Sequence, residues 1–323
     1  MDNFLPAHIN SLYFLLIGTL AIVCIGFGII RMKNHAVARL IAWMMAITTT
    51  LLAHELTLEE RPGYRMLAII VILFTSMKVI VAQEYSTDHP ALTFKQWIAF
   101  ALTWFGMNPG VFSRKDMNKK SQGLQLIRFG VTRIGIGLLL CLAAYFLSKS
   151  STPSGLITLL MTACLLAGLS LTLHFGILNI NSGIWNLLGV GTYALFKAPF
   201  RSLSLAEFWG RRWNFAFSEM TSFAVHRPLK KISNNKIATV VAFAFSGLLH
   251  ELAISLPVNR GYGLPALYFV IQAIALLLEK KIQFKSKVPK HIWVLFWLIV
   301  PIPLLFHQYF LEGIIWPIVS LKE

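Results

Sequence analysis

The chain has 323 residues, of which 56% are hydrophobic and 13% charged, with a mean hydropathy of +0.67. Soluble domains carry about 25% charged residues, so this composition excludes one and specifies a polytopic membrane protein. The formal charge of +16 lies in connecting loops, where the positive-inside bias accounts for it, and no nucleic-acid partner is expected.

Lipid admits only helices or closed barrels, and apolar runs of about 20 residues with no period of two specify an all-α bundle. The first ten residues lack a basic n-region and a cleavage site, so the run at 11–30 is expected to be a retained first span. Arg31, Lys33 and Arg39 follow it. A second span is expected at 40–56 and a third at 65–82, where Lys78 lies close enough to one end to snorkel to the headgroups. The connection 83–123 has an apolar middle, 92–105, interrupted by Lys95, Trp97 and Trp104, which is expected at the interface or re-entering; the basic group Arg114, Lys115, Lys119 and Lys120 comes next.

Spans four and five are expected at 124–147 and, after a Ser-rich turn, 156–178. The short apolar run 184–196 leads into Lys197, Pro199 and Arg201 and is expected to be a partial or re-entrant helix. A polar, aromatic segment occupies 204–218, and the basic cluster Arg227, Lys230, Lys231 and Lys236 precedes a sixth span at 237–256. The seventh is expected at 263–278 and the eighth at 292–310, kinked by Pro301 and Pro303. The expectation is about eight spans plus re-entrant or interfacial helices, forming one integral membrane domain over 1–323. With the N-terminus outside, most of the 29 basic residues fall in four inner connections. That skew places both termini outside and the 204–218 segment on the cytoplasmic side.

His250 is the leading catalytic candidate. It lies 14 residues beyond Lys236, about 21 Å along a helix, where an ionisable side chain is costly unless it lines a cavity or has partners. A neutral imidazole there can take a proton from a hydroxyl that attacks an activated carbonyl; the alternative is a buried histidine closing an interhelical hydrogen bond. Ser246, one turn back, can hydrogen-bond or shape the same pocket, and Gly247 allows close approach of a substrate or another helix. Glu251 points about 100 degrees away and suits a supporting or helix-packing role.

In 208–214, Arg211 and Arg212 can meet the phosphates of a nucleotide-bearing donor or act as positive-inside anchors. Trp209 and Trp213, four apart, fit an interfacial aromatic belt or packing around an acyl chain. Asn214 can polarise a thioester carbonyl or orient a substrate, or can serve as a cap. No G-x-S-x-G elbow or P-loop is present, and Ile254 stands where a zinc motif beginning at His250-Glu251 needs its second histidine. Cys24, Cys141 and Cys164 lie in apolar spans without metal-ligand spacing. No metal is expected, and a covalent acyl-enzyme has no activated nucleophile to form on.

Phe208-Trp209-Gly210-Arg211-Arg212-Trp213-Asn214, followed 36 residues later by the histidine of Ser246-Gly247-Leu248-Leu249-His250-Glu251, resembles the wax synthase branch of the membrane-bound O-acyltransferases. The resemblance covers a signature core at 187–278. It implies transfer of a fatty acyl group from acyl-CoA, a co-substrate and not a bound cofactor, to the hydroxyl of a lipophilic alcohol. In that family a membrane histidine is taken as the base and the asparagine of the tryptophan-asparagine element supports catalysis; these roles fall on His250 and Asn214. The resemblance also implies a tunnel that CoA enters from the cytoplasmic face while the acceptor approaches from the bilayer. A long-chain alcohol leads as acceptor, with diacylglycerol, a sterol or a hydroxylated secondary metabolite as alternatives. A bacterial inner membrane or an endoplasmic reticulum membrane suits such an enzyme. The rival from another class is a lipid transporter or non-catalytic lipid-binding protein, against which the lack of inverted repeats argues.

Overall fold

The computed structural model describes residues 2–113, 120–150, 154–284 and 286–319. Arg114, Lys115 and Lys119 of the basic group, and residues 151–153 of the Ser-rich turn, lie outside them. The chain forms two compact units. One joins Asp2–Gly110 to Lys197–Phe310; the other joins Val111–Phe196 to Leu311–Glu323.

The unit that begins at Asp2 opens with three long helices, α1 (Ile9–Ile29), α2 (His35–Glu55) and α3 (Pro62–Ser86). Asn34 caps α2 by accepting from the amides of Ala36 and Val37, and Pro62 starts α3, where a missing N–H costs nothing. The third helix is central: 67% of its apolar window is buried, against 22% and 28% for the first two. Arg39 donates through Nε and Nη2 to the two carboxylate oxygens of Glu84, tying α2 to the end of α3.

A short helix, α4 (Phe94–Ile98), starts at a Thr93–Gln96 capping box and continues as a π turn, Ala99–Thr103. This is the 92–105 stretch expected at the interface or re-entering: Leu92, Trp97, Phe100, Ala101 and Trp104 are buried, while Phe94, Lys95, Leu102 and Phe105 are exposed. Trp97 is fully buried and its indole N–H donates to the Val23 carbonyl at 2.9 Å. Gly26 makes room, since a Cβ there meets Val79 Cγ2 at 2.5 Å. Lys78 does not snorkel: it has no exposed surface and donates to the carbonyls of Trp104 (2.8 Å) and Gly106.

The other unit is built on α5 (Lys120–Ser148) and a helical rod in which α6 (Gly155–Ser170) runs through a π segment, Leu171–Ile177, into α7 (Leu178–Leu187). The buried residues of α5 are Gly123, Gly130, Gly137 and Ala144, a seven-residue repeat. Opposite the three glycines stand Gly183, Gly176 and Gly168, whose carbonyls are 2.7–2.8 Å from where a Cβ would be. The seam therefore packs backbone on backbone, the membrane route to helix association when hydrophobicity supplies no drive. The rod reaches Leu187, so Ile184 belongs to its last turn and 184–196 is not a re-entrant helix. Gly189, at φ 81, stops it in a Schellman arrangement, with Val190 N donating to Trp185 O and Gly189 N to Asn186 O.

Back in the larger unit, α8 (Leu205–Glu207) passes into a π turn, Phe208–Arg212, and α9 (Phe215–Thr221) follows at once. A further π turn, Ser222–His226, leads to α10 (Arg227–Lys230). The helix α11 (Asn235–His250) continues through a π turn, Glu251–Ser255, into α12 (Leu256–Val258). Then come α13 (Leu264–Glu279) and α14 (Lys287–Ile299), the latter ending just before Pro301. Leu205 and Phe208 share a core with Ala275 and Leu276 of α13 and Val294 and Leu298 of α14, with Trp209 and Trp213 packed on its flank.

Among the described residues seven helices are long and apolar enough to cross a membrane. The expected seventh span is α13, whose 16 residues reach about 24 Å, short of the ~30 Å hydrocarbon core. The chain is an all-α, multi-pass integral membrane protein.

Candidate active site

The polar segment is clamped before it reaches the candidate residues. Ser204 caps the Glu207 amide at 2.9 Å, and the Glu279 carboxylate of α13 accepts from the Leu205 amide at 2.9 and 3.0 Å. The π turn brings the Trp213 amide to the Phe208 carbonyl at 2.8 Å. Trp209 and Trp213 therefore do not share an α-helical face. Trp209 stands edge-on to Phe208 and Trp213 stacks over it, at 5.0 and 5.5 Å between ring centres.

The two arginines part company. Arg211 is exposed. Arg212 pairs with Glu207 at 2.6 Å and donates to the carbonyls of Lys197 (3.2 Å) and Ala198 (3.5 Å), while its own carbonyl accepts from the Lys197 amide at 2.9 Å. The amide of Leu203, and after it the Arg212 guanidinium, hold the Glu207 carboxyl below the usual carboxylate range.

Asn214 sits at φ 43, ψ 73, a left-handed conformation that asparagine tolerates better than most residues. Its Oδ1 accepts from the Phe217 amide at 3.1 Å and so caps α9. With the carbonyl half of the side chain engaged, the NH₂ half is the one that can donate to a ligand. Ser218 Oγ donates to the Trp209 carbonyl at 2.5 Å, fastening α9 back onto the π turn.

His250 is the last residue of α11, 15 residues from its start at Asn235, which is about 22 Å along the helix. Its Nδ1 lies 2.7 Å from the Ser246 carbonyl. A carbonyl oxygen only accepts, so Nδ1 carries the hydrogen, and in the neutral ring Nε2 carries the lone pair. The ring is half-buried between Phe217 (5.3 Å) and Phe269 (4.4 Å). Phe269 also meets Trp209 at 5.7 Å, so one aromatic wall runs from the π turn of 208–212 to the imidazole. Asn214 and His250 are thus linked by Phe217, which offers its amide to one and its ring to the other.

The remaining expected residues divide by role. Ser246 contributes its carbonyl to His250, and its hydroxyl donates back to Ala242 at 2.8 Å. Gly247 serves helix approach: a Cβ there lies 3.0 Å from Ala266 Cα. Glu251 accepts from the Ala266 amide at 2.9 Å, capping the first turn of α13 with a negative charge at its positive end. The sequence reading missed Phe217, Phe269 and Gln272. Gln272 is completely buried, accepts from the Trp209 indole at 3.2 Å and donates to the Trp297 carbonyl at 2.5 Å. It is a lone amide in an otherwise apolar helix, and that is the signal that could have found it.

The arrangement offers an unprotonated imidazole nitrogen, an amide donor and aromatic walls. Among the described residues no group of three or more His, Cys, Asp or Glu side chains is placed to hold a metal ion.

Residues 192–271, which include Trp209 to Asn214 and Ser246 to Glu251, match the model of the "Membrane bound O-acyl transferase family". The curated relatives that align repeat the same assignment. A long-chain-alcohol O-fatty-acyltransferase of Simmondsia chinensis is 28% identical over 118 residues, 32% of this chain and 34% of that protein. A "probable long-chain-alcohol O-fatty-acyltransferase 8" of Arabidopsis thaliana is 27% identical over 160 residues, 46% of this chain and 47% of that protein. The similarity to the membrane-bound O-acyltransferases thus lies in the segment that holds both candidate motifs. A "probable long-chain-alcohol O-fatty-acyltransferase 2" of the same plant is 34% identical over 74 residues, 20% of this chain and 22% of that protein. The alignments with these three proteins span less than half of each one's length.

Proposed function

We propose that the chain transfers a fatty acyl group from acyl-CoA to the hydroxyl of a lipid or long-chain alcohol, giving an ester and free CoA, as a single membrane domain. The observation that carries this reading is the bond from His250 Nδ1 to the Ser246 carbonyl, which leaves Nε2 as the acceptor inside the segment matched by the family. Nε2 takes the proton of the acceptor hydroxyl as its oxygen attacks the thioester carbonyl. The carbonyl oxygen becomes an oxyanion and accepts from the Asn214 NH₂. Collapse breaks the carbon–sulfur bond, and the departing thiolate takes the proton from Nε2, returning the imidazole to its starting form. The aromatic wall of Trp209, Phe269 and Phe217 excludes water that would hydrolyse the thioester.

Long-chain alcohols lead as acceptors because the aligned relatives are named for them. The exposed Arg211, on the side that the positive-inside rule makes cytoplasmic, is assigned to the CoA phosphates. Trp213 is assigned with Trp209 to the wall of the acyl site, Arg212 to holding that segment in place, and Glu251 and Gly247 to setting α13 beside it.

The test is thiol release and ester formation from palmitoyl-CoA with a long-chain alcohol, diacylglycerol and a sterol, in lipid nanodiscs. Ester that forms with the parent and falls by about 10²-fold or more in His250→Ala supports the reading and names the acceptor class. No acyl-CoA turnover by well-folded parent protein with any acceptor sinks it in favour of transport or lipid binding.

A further inference from the structure

We propose that Lys78 is a positioning residue for this site. Acting through the turn at 104–107 and Glu219, it fixes α9, and with it Asn214 and Phe217, against His250. This rests on the acyltransferase reading above.

A lysine at the centre of a membrane helix costs about 2.5–3.5 kcal/mol, and one buried in protein within the span needs partners for its ammonium. Lys78 stands among the buried residues of α3 and has no exposed surface. Its ammonium donates to the Trp104 carbonyl at 2.8 Å and to the Gly106 carbonyl, and lies 4.0 Å over the Phe100 ring. Two carbonyls two residues apart, bound by one ammonium, define the shape of the turn that follows the π turn of α4. Glycine is required there, because a Cβ on Gly106 would lie 2.3 Å from the Trp104 indole nitrogen.

The turn hands this constraint on. The next amide, Met107 N–H, donates to Glu219 Oε2 at 3.3 Å. Glu219 sits in the last turn of α9, whose first residue follows the Asn214 cap and whose third is Phe217. The helix is therefore tied at its start by the Asn214 cap and in its middle by the bond from Ser218 to the Trp209 carbonyl and the bond from Met107 to Glu219. Phe217 lies in the first turn of a helical stretch that continues through the π turn 222–226 into α10, and these ties act on that first turn, where Phe217 meets the imidazole. A mere fold-stabilising ion pair would lower stability and leave turnover per folded molecule unchanged.

The experiment uses the full chain in nanodiscs, with Lys78→Met, Glu219→Gln and the double variant, assayed with palmitoyl-CoA and the best acceptor. The expected result is a fall in kcat of about 10²-fold in Lys78→Met with KM for palmitoyl-CoA unchanged, as for a misplacement of about an ångström. The double variant loses no more than the worse single one, because both act on one helix. Hydrogen exchange of 215–221 accelerates about ten-fold while 264–279 keeps its protection. That last arm needs no turnover, so it tests Lys78 even where the acyltransferase reading fails for the parent. If Lys78→Met does not accumulate in folded form, Glu219→Asp, which keeps the charge and withdraws it by one methylene, carries the same expectations. Unchanged protection of 215–221 in a folded variant, or kcat losses that multiply independently, overturns the proposal.

Discussion

The amide of Phe217 donates to Oδ1 of Asn214 at 3.1 Å, and the ring of the same Phe217 packs 5.3 Å from the centre of the His250 imidazole. One residue therefore sets both halves of the candidate site. Asn214 in turn has two separable jobs, a cap through oxygen and a donor through nitrogen.

Asn214→Asp separates them. Aspartate keeps the capping oxygen and tolerates the left-handed backbone, but brings an anion where the oxyanion forms. The unfolding midpoint is expected to stay close to the parent while kcat falls about 10²–10³-fold. Asn214→Ala loses the cap as well, costing about 1 kcal/mol more in stability. A fully active Asn214→Asp enzyme removes the donor role.

Glu251 is expected to matter through α13 and not through proton transfer. Glu251→Gln keeps an acceptor for the Ala266 amide and retains most of the activity. Glu251→Ala strands that amide and destabilises the fold by about 1–3 kcal/mol. Chemical denaturation in detergent, paired with turnover, reads both; a Gln variant as inactive as His250→Ala points to a direct part in the chemistry instead.

Gly247→Ala places its Cβ 3.0 Å from Ala266 Cα, a backbone atom that cannot swing aside. The α11 and α13 helices must separate, moving Phe269 off the imidazole. A stability loss of about 1–3 kcal/mol is expected, with a larger proportional loss of kcat. Turnover equal to the parent's contradicts the contact.

Glu207 supplies a pH dependence. Its carboxyl is lowered in the folded protein from the ordinary 4.5, so its contribution to stability is complete above that value. The contribution is lost as pH falls through the lower folded value. The gap in melting temperature between the parent and Glu207→Ala is therefore expected to be constant at neutral pH and to shrink in acid below 4.5. A gap that does not narrow in acid removes the link to Arg212 and Leu203.

The long spans were legible because lipid leaves a helix no alternative, and His250 was legible because an ionisable group at that depth stands out against apolar neighbours. The capping alternative for Asn214 was also open in the sequence, since asparagine is a common cap. What stayed hidden depended on partners distant in the chain. Lys78 reads as a snorkelling lysine until Trp104 and Gly106 are seen folded beneath it. Trp209 and Trp213 read as one helical face because nothing in their spacing announces a π turn. The run at 184–196 reads as a partial or re-entrant helix because its apolar residues end one rod and begin a non-helical segment with no change of polarity between them. The glycines at 123, 130 and 137 were in plain sight, but their meaning needs the opposite row on α6 and α7.

The Lys78 contacts also bear on how the protein is made. Synthesis delivers α3 to the bilayer before Trp104 and Gly106, 26 and 28 residues further on, have left the ribosome. Until they arrive the ammonium has no carbonyl to bind, and the helix sits in lipid with an uncompensated charge. Closure of the 104–107 turn is thus the folding step at which the Lys78 ammonium gains its two carbonyl acceptors.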